Sequence, residues 1–183
     1  MNYVFIEGFE YPHLVKGEID IIDREGTPWG TFPISVYFHL NYPKGFAILR
    51  DRSEVFPWEE DWHISKHGEC CVCSPLEKIE QSHSRITVLS FLEDYVIPFY
   101  SNQIYRREFG SYKNGSYSHH LEGVWESLEE EFNTKDRKEI REILNRMGRD
   151  RGRNDPCFCS SGKKFKHCHL QKKKVLEELS KTL

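Results

Sequence analysis

The chain has 183 residues, 26 of them Lys or Arg against 29 Asp or Glu, for a formal net charge of −3. That length holds one ordinary domain plus an appendage and excludes two full-sized catalytic domains. A 38% hydrophobic share and a 14% aromatic share, with Trp29, Trp58, Trp62 and Trp125 among the rings, exclude global disorder. The charge is split: residues 1–132 carry 11 basic and 22 acidic side chains, whereas residues 133–183 carry 15 basic and 7 acidic ones. No apolar run reaches the ~18 residues of a membrane span, and the opening residues lack the basic-then-apolar pattern of a leader. A cytoplasmic protein without a membrane segment is expected.

Strand patterns come first along the chain. Leu14 to Ile22 carries Val15, Ile19, Ile21 and Ile22 ahead of turn residues Asp23-Arg-Glu-Gly26. Phe32 to Leu40 alternates Ile34, Val36 and Phe38 with Ser35, Tyr37 and His39. Phe46 to Leu49 is a third run, entered through the turn Asn41-Tyr-Pro-Lys-Gly45. Phe56 to Cys73 has no clear period and reads as a long loop, which its aromatics should order. From Ser84, a candidate N-cap, Ile86, Leu89, Leu92, Val96 and Phe99 recur at helical spacing, and Pro98 should kink or end that helix. Leu121 to Phe132 and Thr134 to Met147 are two further helices, the second stopped by Gly148, and Arg149 to Asn154 is a charged linker. The fold class is α+β, an antiparallel meander with helices. The expected domains are 1–132, a helix and linker at 133–151, and a small terminal module at 152–183.

The six cysteines fall into two tight clusters, which suits metal or thiol chemistry better than a disulfide framework. Cys157-Phe-Cys159 followed by Cys168-His169 offers three thiolates and an imidazole, the donor set of a closed tetrahedral zinc site. Gly162 supplies the turn between the pairs. The segment is too short for an apolar core of its own, so the metal would be its folding energy. With all four ligand positions filled by protein, a catalytic zinc is not expected. The wording from Gly152 to His169 resembles the SEC-C motif, a zinc module at the ends of many bacterial proteins. The resemblance implies zinc on Cys157, Cys159, Cys168 and His169. The zinc could merely fold the tail. Alternatively, the basic surface of Lys163, Lys164, Lys166 and Lys172 to Lys174 could dock an acidic partner or a nucleic-acid backbone, or the chain's own acidic part.

The other cluster, Trp62-His-Ile-Ser-Lys-His-Gly-Glu-Cys-Cys-Val-Cys73, admits several readings. His63, His67, Cys70 and Cys73 have ligand-like spacing for a second zinc. Cys70 and Cys73 could be a redox pair. A single loop thiol could be a nucleophile, or Cys71 could be a small buried packing residue.

The order of strands, Tyr42-Pro43 turn, histidine, Gly-x-x-Cys and helix over residues 14–106 resembles the ubiquitin-conjugating enzyme (UBC) fold. Carried over by position, His63 matches the histidine opening the family's active-site stretch, Gly68 its glycine, and Cys71 its thioester cysteine. Where the family has His-Pro-Asn, this chain has His63-Ile64-Ser65. Ser118-His-His-Leu-Glu-Gly-Val-Trp-Glu126 resembles a stretch of some bacterial members, in which His119 or His120 would give acid, base or oxyanion help. The resemblance extends to members encoded beside antiphage cyclic-oligonucleotide synthases in CBASS systems. It implies such a synthase (CD-NTase) as protein partner, rather than nucleic acid or a membrane. A zinc-binding adaptor with both cysteine clusters metallated, docking a partner protein without chemistry, is the competing expectation.

Overall fold

The computed structural model describes residues 1–113, 115–147 and 151–183. It is mixed α+β. Four antiparallel strands, β1 (Asn2–Phe5), β2 (His13–Ile22), β3 (Pro28–Phe38) and β4 (Ile48–Asp51), lie side by side in chain order. Consecutive strands pair antiparallel, and β2 and β3 are joined by a tight turn. The Asp23 carboxylate accepts from the backbone N–H of Glu25 and of Thr27, which closes the β2–β3 turn. The expected alternation holds in β3, where Ile34, Val36 and Phe38 are buried, although Ser35 on the opposite face is buried too. The Tyr42-Pro43 peptide in the β3–β4 connection is cis. β1 was not singled out by the sequence, and all four of its residues are exposed.

Helices α1 (Pro75–His83), α2 (Val88–Phe91), α3 (Ile97–Phe109), α4 (His120–Phe132), α5 (Arg137–Met147) and α6 (Lys173–Ser180) follow. α1 lies where the sequence suggested no element. Its start is marked by Ser74-Pro75, with Pro at the first helical position and the Ser74 hydroxyl accepting from the Glu77 N–H. The next helix begins at Thr87, not Ser84: Thr87 and Ser90 each cap the other's backbone N–H. Nor does Pro98 end it. Residues Leu92–Val96 widen into a π turn in which the Ile97 N–H reaches the Leu92 carbonyl. That extra residue absorbs the hydrogen bond Pro98 cannot donate, and the rod continues to Phe109. The expected stop at Gly148, and Arg149 and Asp150 of the linker, lie outside the described residues. No helix among the described residues is long and apolar enough to cross a membrane.

Two compact units emerge, one of residues 1–73 and 81–116, the other of 74–80 and 117–183. The division thus falls elsewhere than at residue 132. In the first unit the sheet face and the α2–α3 rod share one core, with Val36, Phe91, Val96 and Tyr100 fully covered. In the second, Leu128 of α4, Ile140 of α5 and Leu176 of α6 are each 0% exposed and join Phe158 and Phe165 of the cysteine segment in one cluster. Burying each such side chain contributes roughly 1.5–3 kcal/mol. The cysteine segment is therefore corrected from a tail held by metal alone to a piece of a larger apolar core.

Candidate functional site

The C-terminal cysteines converge because the chain between them is tightly turned. The Cys157 N–H donates to the Lys163 carbonyl at 2.8 Å, the Phe165 N–H donates to the Asp155 carbonyl at 2.8 Å, and Pro156 pairs with Lys164. Ser160 and Gly162, at φ +61° and +74°, take the left-handed conformations that reverse the direction. The ligand atoms of Cys157, Cys159, Cys168 and His169 all lie within 4.8 Å of one another. His169 Nδ1 is 3.3 Å from Cys157 Sγ and 3.1 Å from Cys168 Sγ, and Cys159 Sγ is 3.6 Å from Cys168 Sγ. A tetrahedral zinc with ordinary bond lengths needs about 3.8 Å between sulfurs and about 3.6 Å between sulfur and nitrogen. The residues therefore fit zinc. Its chemistry when bound is structural: it would cross-link four side chains and leave no position for substrate.

The protons of this cluster are set by its own groups. Burial opposes the Cys157 thiolate, but hydrogen bonds from the Cys159 backbone and the His169 ring outweigh it and bring the thiol to about 6. Burial and the neighbouring Cys159 and Cys157 sulfurs push Cys168 up to about 11, against the Ser161 hydroxyl. Burial would lower His169, yet Glu131 and Cys157 raise it to about 9. Cys157 is thus the readier thiolate of the two, and a cation bound here must displace the protons held on Cys168 and His169. Sequence reasoning missed Glu131, whose carboxylate lies 3.1 Å from His169 Nε2. Nothing in the spacing of an acidic run at the end of α4 points to it.

The other cluster is built differently. Residues 64–70 form a small hairpin with Ile64 paired to Cys70, and the Ser65 N–H donates to the Glu69 carbonyl at 2.8 Å. Its outer arm extends the sheet: the Asp51 N–H donates to the Gly68 carbonyl and the Cys70 N–H to the Leu49 carbonyl. An Arg50–Glu69 ion pair at 2.8 Å runs alongside. Gly68 is required at the turn, because its φ is +80° and an added Cβ would lie 3.0 Å from the Asp51 carbonyl and from the Trp58 ring.

Extended backbone sends neighbours to opposite faces. The Cys70 sulfur turns inward, where burial pushes its thiol well up. Cys71 is exposed at the mouth of the hairpin, and its N–H donates to the His63 carbonyl at 2.8 Å. Cys71 is therefore not the buried packing residue that one reading allowed. His63 itself has φ +52°, and its ring meets Tyr112 at 5.4 Å. The stretch before it is clamped from α3: Gln103 Nε2 donates to the Trp62 carbonyl at 3.0 Å, and Arg106 donates to the Asp61 carbonyl. His67 sits exposed at the tip of the hairpin. Among the described residues, the C-terminal set is the one group of three or more His, Cys, Asp or Glu arranged to hold a metal ion; His63, His67, Cys70 and Cys73 are not brought together that way. His119 belongs to the second unit, where it occupies the N-cap position of α4 without a side-chain cap hydrogen bond.

A family model for the SEC-C motif matches residues 153–171, so the second unit carries a SEC-C motif. Curated proteins similar to this chain include translocase subunits. Protein translocase subunit SecA of Chloroflexus aggregans is 90% identical over 19 residues, 10% of this chain and 2% of that protein. SecA of Koribacter versatilis is 39% identical over 57 residues, covering 24% of this chain and 6% of that protein. SecA 1 of Nitrosospira multiformis is 43% identical over 44 residues, 24% of this chain and 5% of that protein. The chain spans only a few percent of the length of these relatives, and the likeness is one of motif. No solved structure matches the chain significantly.

Proposed function

We propose that the chain is a ubiquitin-conjugating-like acyl carrier in which Cys71 takes up the C-terminal carboxyl group of a partner protein as a thioester and yields it to an amine. The observation that carries this reading is the exposed Cys71 at the mouth of a hairpin docked on the last strand of an antiparallel meander, with the His63 backbone bonded across from it. In the first step the thiolate attacks the carbonyl carbon of an activated carboxyl group; the C–S bond forms and the activating group leaves with its electron pair. In the second, an amine nitrogen attacks the same carbon, the C–S bond breaks, the amine proton passes to a base and the Cys71 thiolate is restored. In this reading His63 serves as the base, the role that the UBC resemblance implies for it. The acidic Glu59, Glu60, Asp61 and Glu69 near the hairpin attract a lysine acceptor.

The UBC resemblance supplies the setting: a cyclic-oligonucleotide synthase as the partner and antiphage defence as the role. The zinc motif then serves as a folded docking module in a cytoplasmic protein. The test is co-expression with that synthase. Wild-type chain is expected to yield a covalent adduct cleaved by excess thiol; Cys71→Ala abolishes it, whereas Cys70→Ala and Cys73→Ala keep it. An adduct that survives Cys71→Ala contradicts the assignment.

A further inference from the structure

The His169 ring has two nitrogens with separate tasks. Nδ1 faces the sulfurs of Cys157 and Cys168, while Nε2 lies 3.1 Å from Glu131 Oε1. Both side chains are nearly covered, at 9% and 12% exposure. The other Glu131 oxygen accepts from Lys172 Nζ at 2.6 Å, and the same ammonium lies 3.3 Å from Glu80 Oε1 of α1. The imidazole is also flanked by the rings of Phe132 and Phe158, with centroids at 5.5 and 5.1 Å. The end of α4 therefore supplies both a carboxylate for the outer nitrogen and a wall for the ring. Glu131 lies outside the matched motif, so this support comes from the helix and not from the motif.

We infer that Glu131 is the positioning residue of the zinc centre: it accepts the Nε2–H of His169, fixes the tautomer that presents Nδ1 to the metal, and couples zinc binding to helix α4. A carboxylate on the far nitrogen raises the ring's donor strength and removes its rotational freedom, and losing such a partner typically weakens metal binding by 10- to 100-fold, as an order of magnitude. Geometry also opposes the reverse tautomer, because a bare Nε2 would face a carboxylate with no proton between them. Lys172 plays the lesser part. It holds the second carboxylate oxygen and keeps Glu131 aimed, so its loss costs less than the loss of Glu131.

The experiment uses the full chain loaded with zinc, and reads zinc affinity by competition with a chromophoric chelator and the His169 ring by nitrogen-15 NMR. Expected for the wild type is a metal-bound Nδ1 and an Nε2 whose proton exchanges slowly with water. Glu131→Ala is expected to weaken zinc by roughly 10- to 100-fold and to make that proton exchange fast. Glu131→Gln, which keeps an acceptor without the charge, should fall between. Leu128→Ala weakens the same apolar cluster without touching the ring; it should lower the melting temperature yet leave the Nε2 proton slow to exchange. The inference is overturned if Glu131→Ala binds zinc within about threefold of wild type, or if Leu128→Ala reproduces both changes. Should Glu131→Ala fail to fold, the wild-type spectrum and Glu131→Gln decide: metal on Nε2, or wild-type affinity and exchange in Glu131→Gln, overturns it equally.

Discussion

The chain carries three cysteines near its middle and three near its end, and the two sets are arranged in opposite ways. In the terminal set, left-handed residues at Ser160 and Gly162 fold the backbone back on itself, so sulfurs far apart in sequence come within 3.6 Å. In the middle set, extended pairing along β4 turns the Cys70 sulfur inward and leaves Cys71 exposed. Cysteines adjacent in sequence are thereby kept from serving one ion. Backbone shape, more than the number of thiols, separates a cluster that could hold a metal from a set of thiols not arranged to share one.

The largest effect expected is from metal removal. A strong chelator, or Cys157→Ser or Cys168→Ser, should strip one zinc per chain and loosen the second unit, since structural zinc contributes on the order of 10 kcal/mol in small modules. Metal analysis with circular dichroism reads both. A second zinc per chain, lost on changing Cys70 or Cys73, would dissolve the contrast between the clusters and favour the adaptor reading. Next, Leu128→Ala should cost about 2–5 kcal/mol by opening a cavity where the cysteine segment meets α4 and α5; denaturant titration checks it, and a change below about 1 kcal/mol would return the segment to being a tail on a metal. Gly68→Ala should cost about 1–3 kcal/mol, from the left-handed φ and the close approach to the Asp51 carbonyl, with Cys70 losing its protection from thiol reagents. Thr87→Ala, which removes the cap of α2, should cost about 1 kcal/mol and leave zinc content alone.

pH sharpens the contrast further. Cys168 and His169 are both raised, so they hold protons at neutral pH that zinc must displace. Zinc affinity should therefore rise with pH through the neutral range and fall on acidification. Chelator competition at a series of pH values reads the slope, and a flat profile would contradict the assignment of these residues as ligands.

Much of this was legible in the sequence. Period-two patterns located β2 and β3, helical spacing located α4 and α5, and the motif from Gly152 to His169 named four residues that the structure brings together. What escaped has physical reasons. β1 pairs through its backbone while every side chain stays exposed, so it leaves no burial pattern. α1 is short and mostly polar, and its only sign was the Ser74-Pro75 start. Pro98 reads as a helix breaker because the compensating π turn depends on hydrogen-bond routing that residue types do not encode. Glu131 is one acid in an acidic run, and only the fold selects it. The hairpin of residues 64–70 was hidden for a similar reason: its pairing partner is β4, not a neighbour in a pattern.

The most direct test of the contrast between the clusters is timed alkylation of the zinc-loaded full chain, with each cysteine followed by peptide mass mapping. Cys71 should be modified first, with Cys70 and the four-ligand centre protected until the metal is removed or the fold opens. Alkylation of Cys157 or Cys159 as fast as Cys71, or protection of Cys71 in the folded chain, would contradict the account.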